Sequence, residues 1–263
     1  MFVHNLDPIL LDLGIISIRW YSIAYVLGII LGWWYGKKII FKLKKKQNID
    51  VSAENFDDLI TYLIISIIVG GRLGYVIFYN PYFYLTNPFD IIKVWQGGMS
   101  FHGGLLGVIT ATYYFCKKNN LNLFVLLDVI SCVAPIGIFF GRVANFINAE
   151  LYGKVTNVSW GVIFPQVDEL KRHPSQLYEA LLEGLILFYI LNLMVNSKKY
   201  MTSNCSSTFL ILYGFFRIFS EIFREPDRHL GYIFNSISMG SILSMLMIIL
   251  GVVIFYRKNE IQS

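Results

Sequence analysis

Seven apolar tracts, at residues 15–36, 57–79, 98–116, 121–141, 176–196, 207–223 and 234–256, constrain this chain more than any single motif does. A helix needs about 20 residues to cross roughly 30 Å of hydrocarbon, and each tract is close to that length. Inside lipid every backbone N–H and C=O must be satisfied by the segment itself, which leaves helices or a closed barrel. Barrel strands alternate apolar and polar positions over about 10 residues, whereas these tracts are continuously apolar. The composition agrees, with 56% hydrophobic residues against 15% charged, a membrane-protein balance. The expected fold is an all-α polytopic membrane protein of seven transmembrane helices, forming one integral membrane domain over residues 1–263. Arg217 and Glu221 interrupt the sixth tract, making it the weakest of the seven.

The net charge of +5 is a topology signal before it is anything else. Lys37, Lys38, Lys42, Lys44, Lys45, Lys46, Lys117, Lys118, Lys198, Lys199, Arg257 and Lys258 follow the odd-numbered spans and make twelve charges on one side. The opposite loops hold seven: Lys93, Arg142, Lys154, Lys171, Arg172, Arg224 and Arg228. By the positive-inside rule the N-terminus faces out and the C-terminus faces the cytoplasm. The surplus therefore calls for no nucleic-acid partner and leaves a weak attraction to anionic lipid heads. The opening MFVHNLDPILLDLG has no basic region and no small-residue cleavage site, so no removable signal peptide is expected.

Two longer loops fall on the outer side. Residues 80–97, NPYFYLTNPFDIIKVW with its flanks, carry interfacial aromatics and read as an amphipathic arm on the membrane surface. Residues 142–175 read as a small periplasmic head with a hairpin around VSWGVIFP. Cys116, Cys132 and Cys205 show no CxxC spacing, so neither a disulfide framework nor a metal site is expected. HExxH, Walker A and GxSxG patterns are absent.

Ionisable groups inside spans are expensive, by about 2.5–3.5 kcal/mol on insertion scales, and mark function unless they pair or snorkel. GGRLG places Arg72 near the outer end of span two, as a snorkelling residue or a functional one. QGGMSFHGGLLG sets His102 between glycine pairs that admit a backbone or a lipid headgroup. Its imidazole is a base suited to neutral pH or a structural hydrogen-bonding group. In span six Tyr213, Arg217, Glu221 and Arg224 fall at i, i+4, i+8 and i+11, one polar stripe on an apolar rod. Arg217 and Glu221 can neutralise each other, but the further arginine leaves surplus positive charge that suits an anionic ligand. GRVANFINAELYG, residues 141–153, follows span four: Arg142 and Asn145 share a helix face, Asn148 comes one step on, and Glu150 follows as the chain turns at Gly153. An arginine fork matches phosphate oxygens, and asparagine adds neutral donors and acceptors.

At these residues the chain resembles the prolipoprotein diacylglyceryl transferase family of bacterial inner-membrane enzymes. GRVANFINAELYG has the form of that family's signature; RWYSIAYVLG, HGGLLG (102–107), HPSQLYE (173–179) and LYGFFRIFSEIFREPD (212–227) resemble its other motifs in order. The resemblance implies transfer of the diacylglyceryl group of phosphatidylglycerol to the lipobox cysteine of a prolipoprotein, with a thioether formed and glycerol-1-phosphate released. It implies an inner-membrane location, membrane lipid and a prolipoprotein signal peptide as partners, and no cofactor. By motif it assigns functional positions to Tyr25, His102, Arg142, Asn145, Glu150, Gly153, Tyr213, Arg217 and Glu221. Residues 37–55 and 155–171 carry little of the likeness.

The chemistry of the residues is compatible. A free thiol titrates near 8.5, so a base or a positive field must raise its thiolate fraction. The departing phosphate gains charge as the C–O bond breaks, and arginines in a low-dielectric cavity stabilise that change. His102, Arg142 and Arg217 are the expected catalytic groups, with His102 taking the thiol proton. A transporter or flippase for an anionic lipid or solute is the rival class, since an arginine stripe also serves passage. No internal repeat or paired half-helix break of the transporter kind is present.

Overall fold

The computed structural model describes residues 2–14, 17–47, 49–226 and 238–262. Arg228, Asp227 at the end of the fifth quoted motif, residues 15–16 at the start of the first tract and 234–237 at the start of the seventh lie outside the described residues. Helix dominates. The long helices are α1 (Trp20–Gln47), α2 (Ala53–Phe78), α4 (Phe101–Asn119), α5 (Leu123–Ile147), α8 (Asn204–Glu221) and α9 (Met239–Gln262). A short α3 (Pro81–Thr86) follows α2, and α6 (Ser175–Glu179) runs through a π-helical stretch (Ala180–Ile186) into α7 (Leu187–Asn196).

Five helices among the described residues are long and apolar enough to cross a membrane: Trp20–Gln47, Ala53–Phe78, Leu123–Ile147, Ser175–Asn196 and Met239–Arg257. They occupy the first, second, fourth, fifth and seventh expected places. Helices α4 and α8 stand at the third and sixth, but His102, Lys117 and Lys118 in one and Ser206, Ser207, Arg217 and Glu221 in the other dilute their apolar character. Beside the helices there is more β structure than the one hairpin expected around VSWGVIFP. Among the described residues five short strands occur: β1 (Phe2–Val3), β2 (Ile9–Asp12), β3 (Ser17–Arg19), β4 (Val162–Ile163) and β5 (Lys171–Arg172).

The chain forms two compact units, Gly36–Val129 and the remainder, Met1–Tyr35 with Ile130–Ser263. In the first, α2 begins at a capping box in which Ser52 Oγ accepts from the Asn55 amide and Asn55 Oδ1 accepts from the Ser52 amide. Small residues then let α2 and α4 touch backbone to backbone: a Cβ on Gly103 would sit 2.7 Å from the Gly74 Cα. Of the glycines around His102, Gly103 serves this packing, while Gly97 (φ 84°) and Gly98 (φ 79°) shape the turn before α4. Arg72 does not snorkel; it is buried and donates to the carbonyls of Ile91 (2.8 Å), Asp90 (2.7 Å), Gly98 (3.2 Å) and Gly97, with its guanidinium 5.2 Å from the Tyr84 ring centroid. It thereby folds the aromatic loop back on α2, while Tyr82, Leu85, Phe89, Ile92 and Trp95 stay exposed on that loop. A lysine offers one ammonium where a planar fork reaches several carbonyls. Arg72→Lys should therefore leave the protein inserted but open residues 87–98 to limited proteolysis several-fold faster; an unchanged cleavage rate would refute the clamp.

The second unit contains the small β structure. Strand β4 pairs in parallel with β1 (Phe2↔Val162, Val3↔Ile163) and antiparallel with β5 (Val162↔Arg172, Ile163↔Lys171), so the expected hairpin recruits the N-terminal strand. Phe146, Ala149, Val162 and Phe164 form its apolar core, and the buried His4 ring lies 5.2 Å from both Phe146 and Phe164. A separate antiparallel hairpin joins β2 to β3 ahead of α1.

Candidate active site

Helix α5 carries Arg142 and Asn145 to its C-terminal end on one face. The chain then turns through Ala149 (φ 54°) and Leu151 (φ 56°), a left-handed conformation uncommon for residues with a Cβ. Strain of this kind costs on the order of 1–3 kcal/mol per residue and persists only where neighbours enforce it. Here the neighbours are the first residues of α6: Gln176 Nε2 donates to the Glu150 carbonyl (2.6 Å) and Ser175 Oγ to that of Leu151 (2.9 Å). Asn145 and Asn148 each place an amide 3.4 Å from a Glu150 carboxylate oxygen, which fixes the side chain of the exposed Glu150.

Gly153 sits where three segments meet. Its amide donates to the His173 carbonyl (2.9 Å), it bridges to Arg224, and a Cβ there would lie 2.7 Å from the Phe223 carbonyl oxygen and closer still to that of His173. The turn expected at Gly153 thus begins earlier, at Ala149, and Gly153 is the point of close approach. No alternative rotamer relieves a clash with backbone. Gly153→Ala should lower the activity of this site at least tenfold while the helices still insert; normal turnover would show that the segment tolerates the shift.

Arg142 and Arg217, from α5 and α8, converge, and what they meet in this structure is a carboxylate. Arg142 Nη1 lies 2.9 Å from Glu179 Oε2 and Arg217 Nη1 lies 2.7 Å from Glu179 Oε1. Arg142 Nη2 also pairs with Glu183 Oε2 at 3.0 Å, Arg217 Nη2 with Glu221 Oε1 at 2.5 Å, and Arg224 Nη1 with Glu179 Oε1 at 3.4 Å. The surplus of positive charge read from span six is therefore cancelled: among the described residues three arginines face three carboxylates. Both Glu179 and Glu183 have fully buried side chains, and reading the sequence missed them as site residues. The signal was EALLEG inside span five, two acids four apart, to which the rule on intramembrane charges applies equally.

Both acids reach the same arginines from one continuous helical stretch that includes a π-helical turn. Residues four apart share one face of a helix, and the wider turn over Ala180–Ile186 is a distortion common at functional sites. Gly184 in that stretch packs on Phe139, where a Cβ would lie 3.0 Å from the Phe139 Cα, so α5 comes close enough for Arg142 to reach the acids. Tyr213, one turn before Arg217, is buried in the same place. Tyr25 on α1 is exposed, with its hydroxyl 3.4 Å from that of Tyr21, and is near enough to Arg142 and Glu150 to feel their charges. His102 belongs to the other compact unit, in the first turn of α4, where it is buried beside Phe101.

Around this cluster residues 153–173 are tied by Arg172, which pairs with Asp168 (2.6 Å) and Glu225 (3.3 Å) and donates to the Gly153 carbonyl (3.1 Å). Trp160 Nε1 donates to Tyr178 Oη (2.7 Å), and that hydroxyl lies 3.2 Å from His173 Nδ1. Burial, helped by Lys154, pushes the His173 imidazole below its ordinary value. The unfolded chain then binds the proton first, so this contribution is complete above about pH 6.5 and declines as pH falls below it. Thermal unfolding between pH 7.5 and 5 should show that decline flattened in His173→Gln; a parallel decline would exclude His173 as its source.

The family model for prolipoprotein diacylglyceryl transferase matches residues 8–257. A phosphatidylglycerol–prolipoprotein diacylglyceryl transferase of Rickettsia bellii (strain OSU 85-389) is 53% identical over 266 residues, covering 100% of this chain and 99% of its own length. Those of Rickettsia felis and Rickettsia rickettsii (strain Sheila Smith) are 52% and 51% identical over 263 and 262 residues, covering 98% of this chain and 99% of each relative. With two arginines from separate helices buried together and the match running almost end to end, the chain belongs to the prolipoprotein diacylglyceryl transferase family.

Proposed function

We propose that this protein transfers the diacylglyceryl group of phosphatidylglycerol to the lipobox cysteine of prolipoproteins. The observation that carries the reading is the meeting of Arg142 and Arg217 at one buried point within a chain of this family. The thiolate sulfur attacks the glyceryl carbon esterified to phosphate. A C–S bond forms, the C–O bond breaks with its electron pair passing to the phosphate oxygen, and glycerol-1-phosphate leaves. Arg142 and Arg217 stabilise the charge gathering on that oxygen, as oriented donors do in a dry site. His102 takes the thiol proton. Asn145 and Glu150 orient the headgroup, Tyr25 and Tyr213 line its approach, Glu221 holds Arg217, and Gly153 fixes the turn beneath them. Residues of the chain supply all of these roles, with no metal or cofactor.

The same reading places the chain in the bacterial inner membrane as a single integral domain of seven spans, counting α4 and α8. The periplasmic head lies at about 142–175, the aromatic loop at the interface, the N-terminus outside and the C-terminus in the cytoplasm. Twelve basic residues against seven support that orientation. Labelling of Lys44→Cys by an impermeant reagent from the periplasm of intact cells would reverse it. Both substrates are then membrane-bound, which is consistent with polar groups gathered at helix ends near headgroup depth. The deciding assay supplies the purified protein with phosphatidylglycerol and a lipobox peptide. Release of glycerol phosphate with a stoichiometric mass gain on the peptide cysteine is expected, and its absence would overturn the assignment.

A further inference from the structure

Among the described residues the buried cluster is formally neutral, with Arg142, Arg217 and Arg224 set against Glu179, Glu183 and Glu221. A phosphodiester entering it adds one negative charge, and an uncompensated charge away from water is strongly disfavoured. The three acids are not equally able to remain ionised beside it. Glu179 meets three guanidiniums, at 2.9, 2.7 and 3.4 Å. Glu221 keeps its 2.5 Å pair with Arg217 and, at 12% exposure, some access to solvent. Glu183 has neither advantage. Its side chain is 0% exposed, Oε2 has one close partner, and Oε1 has no hydrogen bond and stands 3.8 Å from Arg217 Nη1. Among the described residues the charged and titratable groups that act on it include Arg142 from α5, Tyr213 and Arg217 from α8, and Glu179 from its own helix. Glu179 shares both arginines with it, so the second carboxylate charge is the least compensated in the cluster.

We propose that Glu183 takes up one proton, on Oε1, when the phosphodiester of a glycerophospholipid enters this cluster, so that lipid binding and protonation of Glu183 are coupled. The inference rests on the reading that Arg142 and Arg217 receive lipid phosphate. The balance is simple: one proton comes from solvent, no other covalent bond changes, and the occupied cluster returns to neutrality. Neutral Glu183 still accepts from Arg142 through Oε2, while Arg217 loses its distant partner and turns to the phosphate. Coupling of this kind is reciprocal, so proton concentration must shift lipid affinity.

The test uses full-length protein in neutral detergent and dihexanoyl phosphatidylglycerol as a soluble probe, with Kd measured from pH 5 to 9. The phosphodiester itself stays singly charged across that range. Kd should be constant at low pH and weaken tenfold per pH unit once Glu183 is ionised in the free protein. Glu183→Gln, already neutral, should bind with pH-independent affinity and more tightly than the native protein at pH 9. A flat native profile, or an equal slope in Glu183→Gln, would overturn the proposal. Should that variant fail to fold, calorimetry of the native protein in buffers of different ionisation enthalpy reads the same step: uptake of one proton per lipid is expected, and a buffer-independent heat excludes it. If the native protein releases glycerol phosphate in the transfer assay but binds lipid without proton uptake, the coupling fails alone. If it neither binds nor transfers, the functional reading fails with it.

Discussion

Replacing either Arg142 or Arg217 by lysine should lower transfer to a lipobox peptide by about 100-fold or more, the loss typical when one oriented donor to a developing oxyanion is removed. Each guanidinium uses two nitrogens at once, Arg142 reaching Glu179 and Glu183 and Arg217 reaching Glu179 and Glu221. A lysine ammonium is a point charge on a flexible stem and cannot hold both directions. Formal charge is unchanged, so the cluster stays neutral and the protein should still insert. The loss should appear in lipid binding and in the chemical step, because phosphate is present in the substrate and gains charge in the transition state. His102→Gln should behave differently, sparing lipid binding and slowing transfer most where the thiol is protonated. Full single-turnover activity in either lysine variant would defeat the argument from the fork, and an unchanged pH profile in His102→Gln would remove it as the base.

The difference between what the sequence discloses and what it conceals follows from the range of the forces involved. Spans are local: a run such as LITYLIISIIVGG has to be a buried or membrane helix whatever surrounds it. The stripe Tyr213, Arg217, Glu221 is also local, since helical periodicity alone aligns it. What pairs with a stripe is not. Glu179 and Glu183 reach Arg142 across some forty positions of sequence, a pairing that no local period records. Without them the stripe reads as surplus positive charge. Arg72 reads ambiguously for the same reason: its local sequence fits snorkelling and function alike, whereas its partners are carbonyls 18 to 26 residues on, presented by a segment whose short 3₁₀ turns carry no 3.6-residue period. Strand β1 was likewise hidden because two residues, Phe2 and Val3, carry no pattern until β4 supplies a partner.

Glu179→Gln should be the most destabilising single change at the site, and Arg224→Gln should partly repair it. Glu179 is fully buried and joins three arginines, so removing its charge leaves one uncompensated positive charge in a low-dielectric interior. Breaking a buried pair in this way typically costs about 3–5 kcal/mol. For a chain of this size each kcal/mol moves the midpoint by roughly 2–4 °C, so a fall in Tm on the order of 10 °C is expected. Arg224 is the most distant of the three partners, at 3.4 Å, and lies beyond the end of α8. Its replacement alone leaves the opposite imbalance, a buried negative charge, and should also destabilise. Together the two changes restore neutrality, so the double variant should unfold at a higher temperature than Glu179→Gln and fall well short of the summed losses, as residues sharing one network do. Transfer activity should not return with stability, because Arg142 and Arg217 still lack the carboxylate that orients both. Additive losses in Tm would show that charge balance does not hold the cluster together, and recovery of activity in the double variant would remove Glu179 as the residue that positions the two arginines.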